Sequence, residues 1–314
     1  MRRLGIFDAG GNALKKIVYI LPCVLAILVL GFTVLMIVQT LVVENPLPFV
    51  GYGGRYAVQR ASILGISHSW FMMLLGALIT VLLAVVRRKQ YGVRFALLLA
   101  IAIILPVQAV LGSKLLYGIE RVIGQGDFNM SGLSLFGGVY LTLLFVPLVA
   151  RIFKIKAAQL FDFVAPLGMV LIASSRFGCF FAHCCAGGLQ MINGKPFYLP
   201  VPLIEIFFDL AILAVLLYLE QSKLSWGQAD EKASKLNPYH GILALLILLS
   251  YGVIRFTLEF FRERTAVFAG MSFGHIHSLI CIAIGVWALL RRREQYQRAL
   301  EKSQRHSKQN SRRR

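Results

Sequence analysis

Apolar residues in this chain come in long unbroken stretches separated by short polar segments, instead of the period-2 or period-3.6 alternation of a water-soluble fold. Eight stretches, near 17–43, 66–86, 95–118, 133–150, 158–183, 201–219, 240–261 and 274–290, approach or exceed the roughly 20 apolar residues that cross a bilayer as a helix. Hydrocarbon offers the backbone no hydrogen-bond partners, so each stretch must satisfy its own amides, and the pattern predicts an all-α polytopic membrane protein of about eight transmembrane helices. Pro106 and the Gly112, Ser113, Lys114 step interrupt the third run and predict a kink or a polar lining there. The first run is long and has no small-residue cleavage pattern at its end, so it reads as a retained anchor. Without an internal repeat of fixed period, an inverted-repeat transporter loses support.

Composition agrees: 58% of the 314 residues are hydrophobic. A formal net charge of +19 raises the question of nucleic acid, yet the cations sit in short clusters between apolar runs and in a terminal tail, with no basic stripe interleaved with aromatics. Their distribution instead orients the chain, with the N-terminus and C-terminus cytoplasmic. That arrangement leaves nine of the 33 Lys and Arg on the outer side or in outer helix halves: Arg55, Arg60, Lys114, Arg121, Arg176, Lys195, Arg255, Arg262 and Arg264. The segment 293–314 is short, basic and polar, and reads as a disordered cytoplasmic tail attracted to anionic lipid.

Those misplaced cations carry the candidate chemistry. Arg255, Glu259 and Arg262 stand at i, i+4 and i+7, so one helix face presents a cation, an anion and a cation, a surface suited to an anionic headgroup. Arg264 and Arg262 also fit simple snorkelling to the interface, whereas Arg255 lies nearly two turns deeper. Arg176, inside the fifth run, is expensive in hydrocarbon unless it is paired or lines a polar cavity. Beyond it come Cys179, His183, Cys184 and Cys185. Cys179 and His183 share a helix face while the adjacent pair points elsewhere unless the helix has ended, and spaced CxxC pairs are absent, so no metal is assigned. Nor do the five cysteines form a disulfide framework. Gly137 and Gly138 permit close approach either by a neighbouring helix or by a headgroup.

One tract is similar to a known family. Tyr251, Gly252, Arg255, Phe256, Glu259, Phe260, Phe261 and Arg262 resemble the YGxxRFxxEFFR signature of the bacterial prolipoprotein diacylglyceryl transferases. Asp162, Ala165 and Pro166 leading to Arg176, Phe177 and Gly178 resemble the family's DxxAP followed by an arginine and glycine pattern; Leu133 to Gly138 and Met271 to His275 resemble two further stretches. The resemblance covers roughly 62–292, a seven-helix core, and leaves 1–61 as an N-terminal start with an extra helix and outer loop.

Such a relationship implies transfer of a diacylglyceryl group from phosphatidylglycerol to the cysteine thiol of a lipobox-containing precursor at the outer face of the bacterial cytoplasmic membrane, with no cofactor. Arg176 and Arg255 match the family's essential arginines and would hold the phosphate and stabilise the leaving group. Arg262 would complete the cationic face, with Gly137 and Gly138 near the headgroup. Glu259, Asp162 and Glu205 would orient it. The partners implied are phosphatidylglycerol, the precursor protein and membrane lipids, with no nucleic acid.

The chain also departs from the family pattern. Phe136 stands where the family has a histidine before the glycine pair, Cys179 where it has asparagine, and Lys114 where it has arginine. His183, about two turns beyond Arg176, is the candidate replacement for the base. A relative that binds phosphatidylglycerol without turnover, or one that uses another acceptor, fits the same residues.

Overall fold

The computed structural model describes residues 6–42, 62–63, 66–182, 184–185, 187–192, 195–221, 241–262 and 267–311. The outer loop from Pro46 to Gly54, Arg55, Arg60, His183, Arg264 and the loop 222–240 lie outside the described residues. Among the described residues, eight helices are long and apolar enough to cross a membrane. They are α1 (Ile6–Val42), α2 (His68–Arg87), α3 (Phe95–Gln125), α4 (Leu135–Ile152), α5 (Ala157–Phe181), α6 (Val201–Gln221), α7 (Ile242–Glu259) and α8 (Phe273–Ser311). Two short antiparallel hairpins accompany them: β1 (Ser62–Ile63) with β2 (Ile66–Ser67), and β3 (Leu189–Ile192) with β4 (Lys195–Tyr198).

α5 and α6 form the centre, with 61% of each span buried against 28% for α1, α2, α3 and α8. α2 packs on α5, α1 on α6, α7 on both central helices, α4 on α3 and α8 on α7. The outward faces of the peripheral helices carry Leu, Ile, Val and Phe, as a lipid-facing surface requires. Despite Pro106, α3 continues through 31 residues, about 46 Å at the helical rise. The glycine step within it is where α4 crosses: a methyl on Gly112 would overlap the Gly137 carbonyl, and one on Gly137 would overlap that of Gly112. Gly138 faces Ala109 and Ser113. These glycines let two backbones touch, the packing alternative of the two the sequence left open; the headgroup assignment of Gly137 and Gly138 gives way because their Cα faces are already filled by α3.

The basic segment after residue 292 is also corrected. Helix α8 runs on to Ser311, because the residues after Leu290 are mostly Arg, Lys, Glu, Gln and Ala, which extend an already nucleated helix at little cost. Glu294 and Arg298 pair at i, i+4, 3.5 Å apart.

One end of the bundle is fastened by Arg87. Its Nε meets both oxygens of Glu220 at 3.0 and 2.9 Å, and its Nη atoms donate to the Phe163 carbonyl at 2.7 Å, the Asp162 carbonyl at 3.2 Å and the Tyr91 hydroxyl at 3.1 Å. One buried guanidinium therefore joins α2, α5 and α6. At the same end the Asp162 carboxylate accepts from the amides of Gly241, Leu243 (2.9 Å) and Ala244 (3.3 Å), the unpaired donors of the first turn of α7.

Candidate anion-binding site

The opposite end of the central helices brings together residues from α5, α6 and α7. Asp162 and Arg176 lie 14 positions apart on α5, about 21 Å along the axis, so Asp162 orients the start of α7 and takes no part among the arginines.

Glu205, on α6 and fully buried, sits at the centre. Its Oε1 pairs with Arg176 Nε at 2.8 Å and accepts from the Tyr251 hydroxyl at 3.0 Å; its Oε2 meets Arg255 Nη1 at 3.5 Å and Arg262 Nη2 at 3.3 Å. Arg176 Nη2 donates to Tyr251 at 3.3 Å. Three guanidiniums from two helices and the turn after α7 thus share one carboxylate, which brings Arg176 and Arg255 within reach of a single small anion. Arg262 does not snorkel: its side chain is 1% exposed. Burial and then the adjacent charge of Arg255 push its pKa below the ordinary value, against the pull of Glu205.

A second carboxylate backs the first. Glu259 Oε2 lies 2.9 Å from Arg255 Nη2 and 3.9 Å from Arg262 Nη1, while its Oε1 accepts from Ser272 Oγ at 2.8 Å. Gly274 opens α8 directly against this carboxylate, and any side chain at that position would overlap it. The site therefore holds three cations against Glu205 and Glu259. Arg255 Nε and Arg262 Nε are buried and have no hydrogen-bond acceptor among the described residues. Unused, dehydrated guanidinium donors are what an arriving phosphate oxygen would satisfy. One turn along α6, Asp209 is also fully buried, and neither of its oxygens has a hydrogen-bond partner among the described residues.

Beside this cluster lies an apolar cleft of about 380 Å³ between α1, α5 and α6, lined by Leu25, Leu28, Val29, Phe32, Phe177, Phe180, Phe181 and Leu203. Phe177 follows Arg176, and Leu203 is two positions from Glu205, so charged site and cleft share the same helices.

His275 and His277 point to different faces of α8, as their spacing requires. The His275 ring packs against Phe256 and Phe260, and its Nδ1 accepts from the Ser272 amide at 3.2 Å. His277 turns to α3 and α4: Nε2 is 3.1 Å from Glu120 Oε1 and Nδ1 is 2.9 Å from the Tyr140 hydroxyl. Phe136 is buried with its ring 5.5 Å from His277 and 6.4 Å from Tyr251, and so comes between that imidazole and the arginine cluster. Lys114 donates to the Met130 carbonyl at 2.9 Å, so its ammonium is engaged with the turn before α4.

Sequence reasoning missed Asp209, although its i, i+4 relation to Glu205 was readable. It gave Tyr251 no role and treated Glu205 as one orienting carboxylate among three. Its partners come from other helices, so no spacing within α6 announces them.

A family model for prolipoprotein diacylglyceryl transferase matches residues 58–291. The phosphatidylglycerol–prolipoprotein diacylglyceryl transferase of Clostridium novyi is 23% identical over 253 residues, covering 73% of this chain and 93% of that protein. The enzyme of the same name from Clostridium tetani is 26% identical over 236 residues, 69% of this chain and 89% of its own length. That from Idiomarina loihiensis is 30% identical over 192 residues, 57% of this chain and 67% of its own. The matched region begins after α1 and takes in every residue of the arginine cluster, and on that extent the chain belongs to the prolipoprotein diacylglyceryl transferase family, a family of membrane transferases.

Proposed function

We propose that this protein transfers the diacylglyceryl group of phosphatidylglycerol to the cysteine thiol of a lipobox-containing precursor, at the outer face of the bacterial cytoplasmic membrane, with both of its own termini cytoplasmic. The observation that carries the reading is the convergence of Arg176, Arg255 and Arg262 on Glu205 with guanidinium donors to spare, beside a cleft that suits an acyl chain. In the reaction the acceptor sulfur, as thiolate, attacks the terminal glycerol carbon of the diacylglyceryl group. The bond from that carbon to the phosphate oxygen breaks, a thioether forms and glycerol phosphate leaves. Arg176 and Arg255 take the charge that builds on the departing phosphate, a role that preorganised cations fill without rearrangement. Arg262 binds the headgroup, and Glu205 and Glu259 hold the guanidiniums in place. The thiol proton is assigned to His183.

A second reading, binding of phosphatidylglycerol without turnover, is favoured by one observation. Phe136 fills the family's histidine position with a buried ring.

Membranes containing the protein, supplied with labelled phosphatidylglycerol and a lipobox peptide, separate the two. Thioether product is expected, falling roughly a hundredfold or more in Arg176→Ala and Arg255→Ala. Arginine-dependent retention of lipid with no product would leave only the binding reading. Full activity in both variants would overturn the site assignment.

A further inference from the structure

The turn that follows α5 has a construction that the transfer reaction does not use. Helix α5 stops at Phe181, and the chain folds back over its last turn, with the Cys184 amide donating to the Cys179 carbonyl at 3.1 Å. Cys185 then takes φ +64, the left-handed region that a side chain with a Cβ rarely adopts. Strain of this kind persists where the surroundings impose it. On the far side, the Gly187 amide donates to the Leu199 carbonyl at 2.9 Å and the Gly188 amide to the Phe261 carbonyl at 3.0 Å, so the turn is anchored at both ends.

The result is that three sulfurs meet. The Sγ atoms of Cys179, Cys184 and Cys185 all lie within 4.8 Å of one another, and none of the three is in a disulfide. Besides the absence of spaced CxxC pairs, the sequence argument against a metal is that the adjacent pair points away from Cys179 unless the helix has ended. The helix has ended, and that argument goes with it. Cys23 and Cys281 contrast with the trio: the first is exposed on α1, the second buried in the core.

We propose that Cys179, Cys184 and Cys185 form a three-thiolate site for a thiophilic closed-shell metal ion, Zn(II) or Cu(I). Zinc–sulfur bonds of about 2.3 Å place tetrahedral sulfurs about 3.8 Å apart, so the trio closes on an ion by moving about 1 Å. Rotation about χ1 supplies that much without shifting the anchored backbone. Cys184 is exposed, which gives an ion a way in, and for Zn(II) a water completes the fourth position. Three thiolates outweigh the charge of either ion, and the excess falls beside Arg176, whose Nη1 is 3.8 Å from Cys179 Sγ. Gly187 also bridges to the Arg262 strand position, so a filled site would fasten the end of α5 to the segment that carries Arg262. The inference stands apart from the transferase reading, since it needs neither lipid nor acceptor.

The test is a titration of the purified, reduced full-length protein in detergent under anaerobic conditions. Cd(II) serves as the optical probe, and Zn(II) and Cu(I) as competitors. One Cd(II) per chain is expected, with thiolate-to-metal charge-transfer absorption and three sulfur neighbours by X-ray absorption. Cys179→Ser, Cys184→Ser and Cys185→Ser should each weaken binding by roughly tenfold or more, while Cys23→Ser and Cys281→Ser leave it unchanged. Size-exclusion profiles matching the unaltered protein confirm that the variants are folded. Undiminished binding in the triple variant, or no charge-transfer band, would overturn the site. So would alkylation trapping in native membranes that finds Cys179 in a disulfide with Cys184 or Cys185.

Discussion

Glu205 does for three arginines what no residue on their own elements does, because among the described residues it is the one carboxylate that touches Arg176, Arg255 and Arg262 together. Removing its charge while keeping its shape leaves Arg176 with no anionic oxygen in contact among the described residues. Glu205→Gln is therefore expected to destabilise the protein by about 3–5 kcal/mol, the cost of breaking a buried pair from one side, read as a lower unfolding temperature in detergent. Asp209 is the control on the same helix. Its carboxylate has no hydrogen-bond partner among the described residues, so Asp209→Asn should unfold at or above the temperature of the unaltered protein. A large loss in Asp209→Asn would mean that Asp209 holds the arginines as Glu205 does. At this scale the sequence was partly legible. The i, i+4, i+7 pattern at Arg255, Glu259 and Arg262 announced a charged face, since Arg255 and Glu259 share α7 and Arg262 stands in the turn that ends it. Glu205 and Tyr251 complete the cluster through contacts 29 to 75 positions away, which periodicity does not encode. The trio of thiols depended on where α5 ends and on a left-handed residue, neither of which a cysteine spacing reveals.

Among the elements, the eight helices were readable because hydrocarbon leaves a spanning backbone no alternative. What could not be read was how they meet. The crossing of α3 and α4 rests on Gly112 and Gly137, each touching the other's carbonyl, so Gly112→Ala should cost about 1–3 kcal/mol through overpacking. Limited proteolysis of the loop between α3 and α4 would register it as faster cleavage. Asp162 had been grouped with the arginines on motif grounds; distance along α5 separates them. Asp162→Asn keeps one acceptor for three amides and is expected to cost about 0.5–2 kcal/mol, as loss of a helix cap does. Fraying should then appear as faster hydrogen exchange in the first turn of α7, with the arginine cluster unaltered. The hairpins escaped notice because strands of two to four residues carry too little pattern.

Across the whole molecule, α1 lies outside the region shared with the family and yet supplies half of the wall of the apolar cleft, through Leu25, Leu28, Val29 and Phe32. Val29 is the most buried of these on α1. Val29→Phe narrows the cleft without touching a charge, and a several-fold rise in KM for phosphatidylglycerol with kcat unchanged is the expected outcome; a fall in kcat alone would place the acyl chains elsewhere. The charges also bear on how such a chain enters a bilayer. Two of the buried arginines travel with a counter-ion: Arg255 has Glu259 one turn away on the same helix, and Arg176 has Glu205 on the helix that follows it. As the segments leave the insertion machinery in order, α5 and α6 can pass into lipid as a neutralised hairpin, and α7 can follow already paired, so that neither Arg176 nor Arg255 enters hydrocarbon as a bare guanidinium.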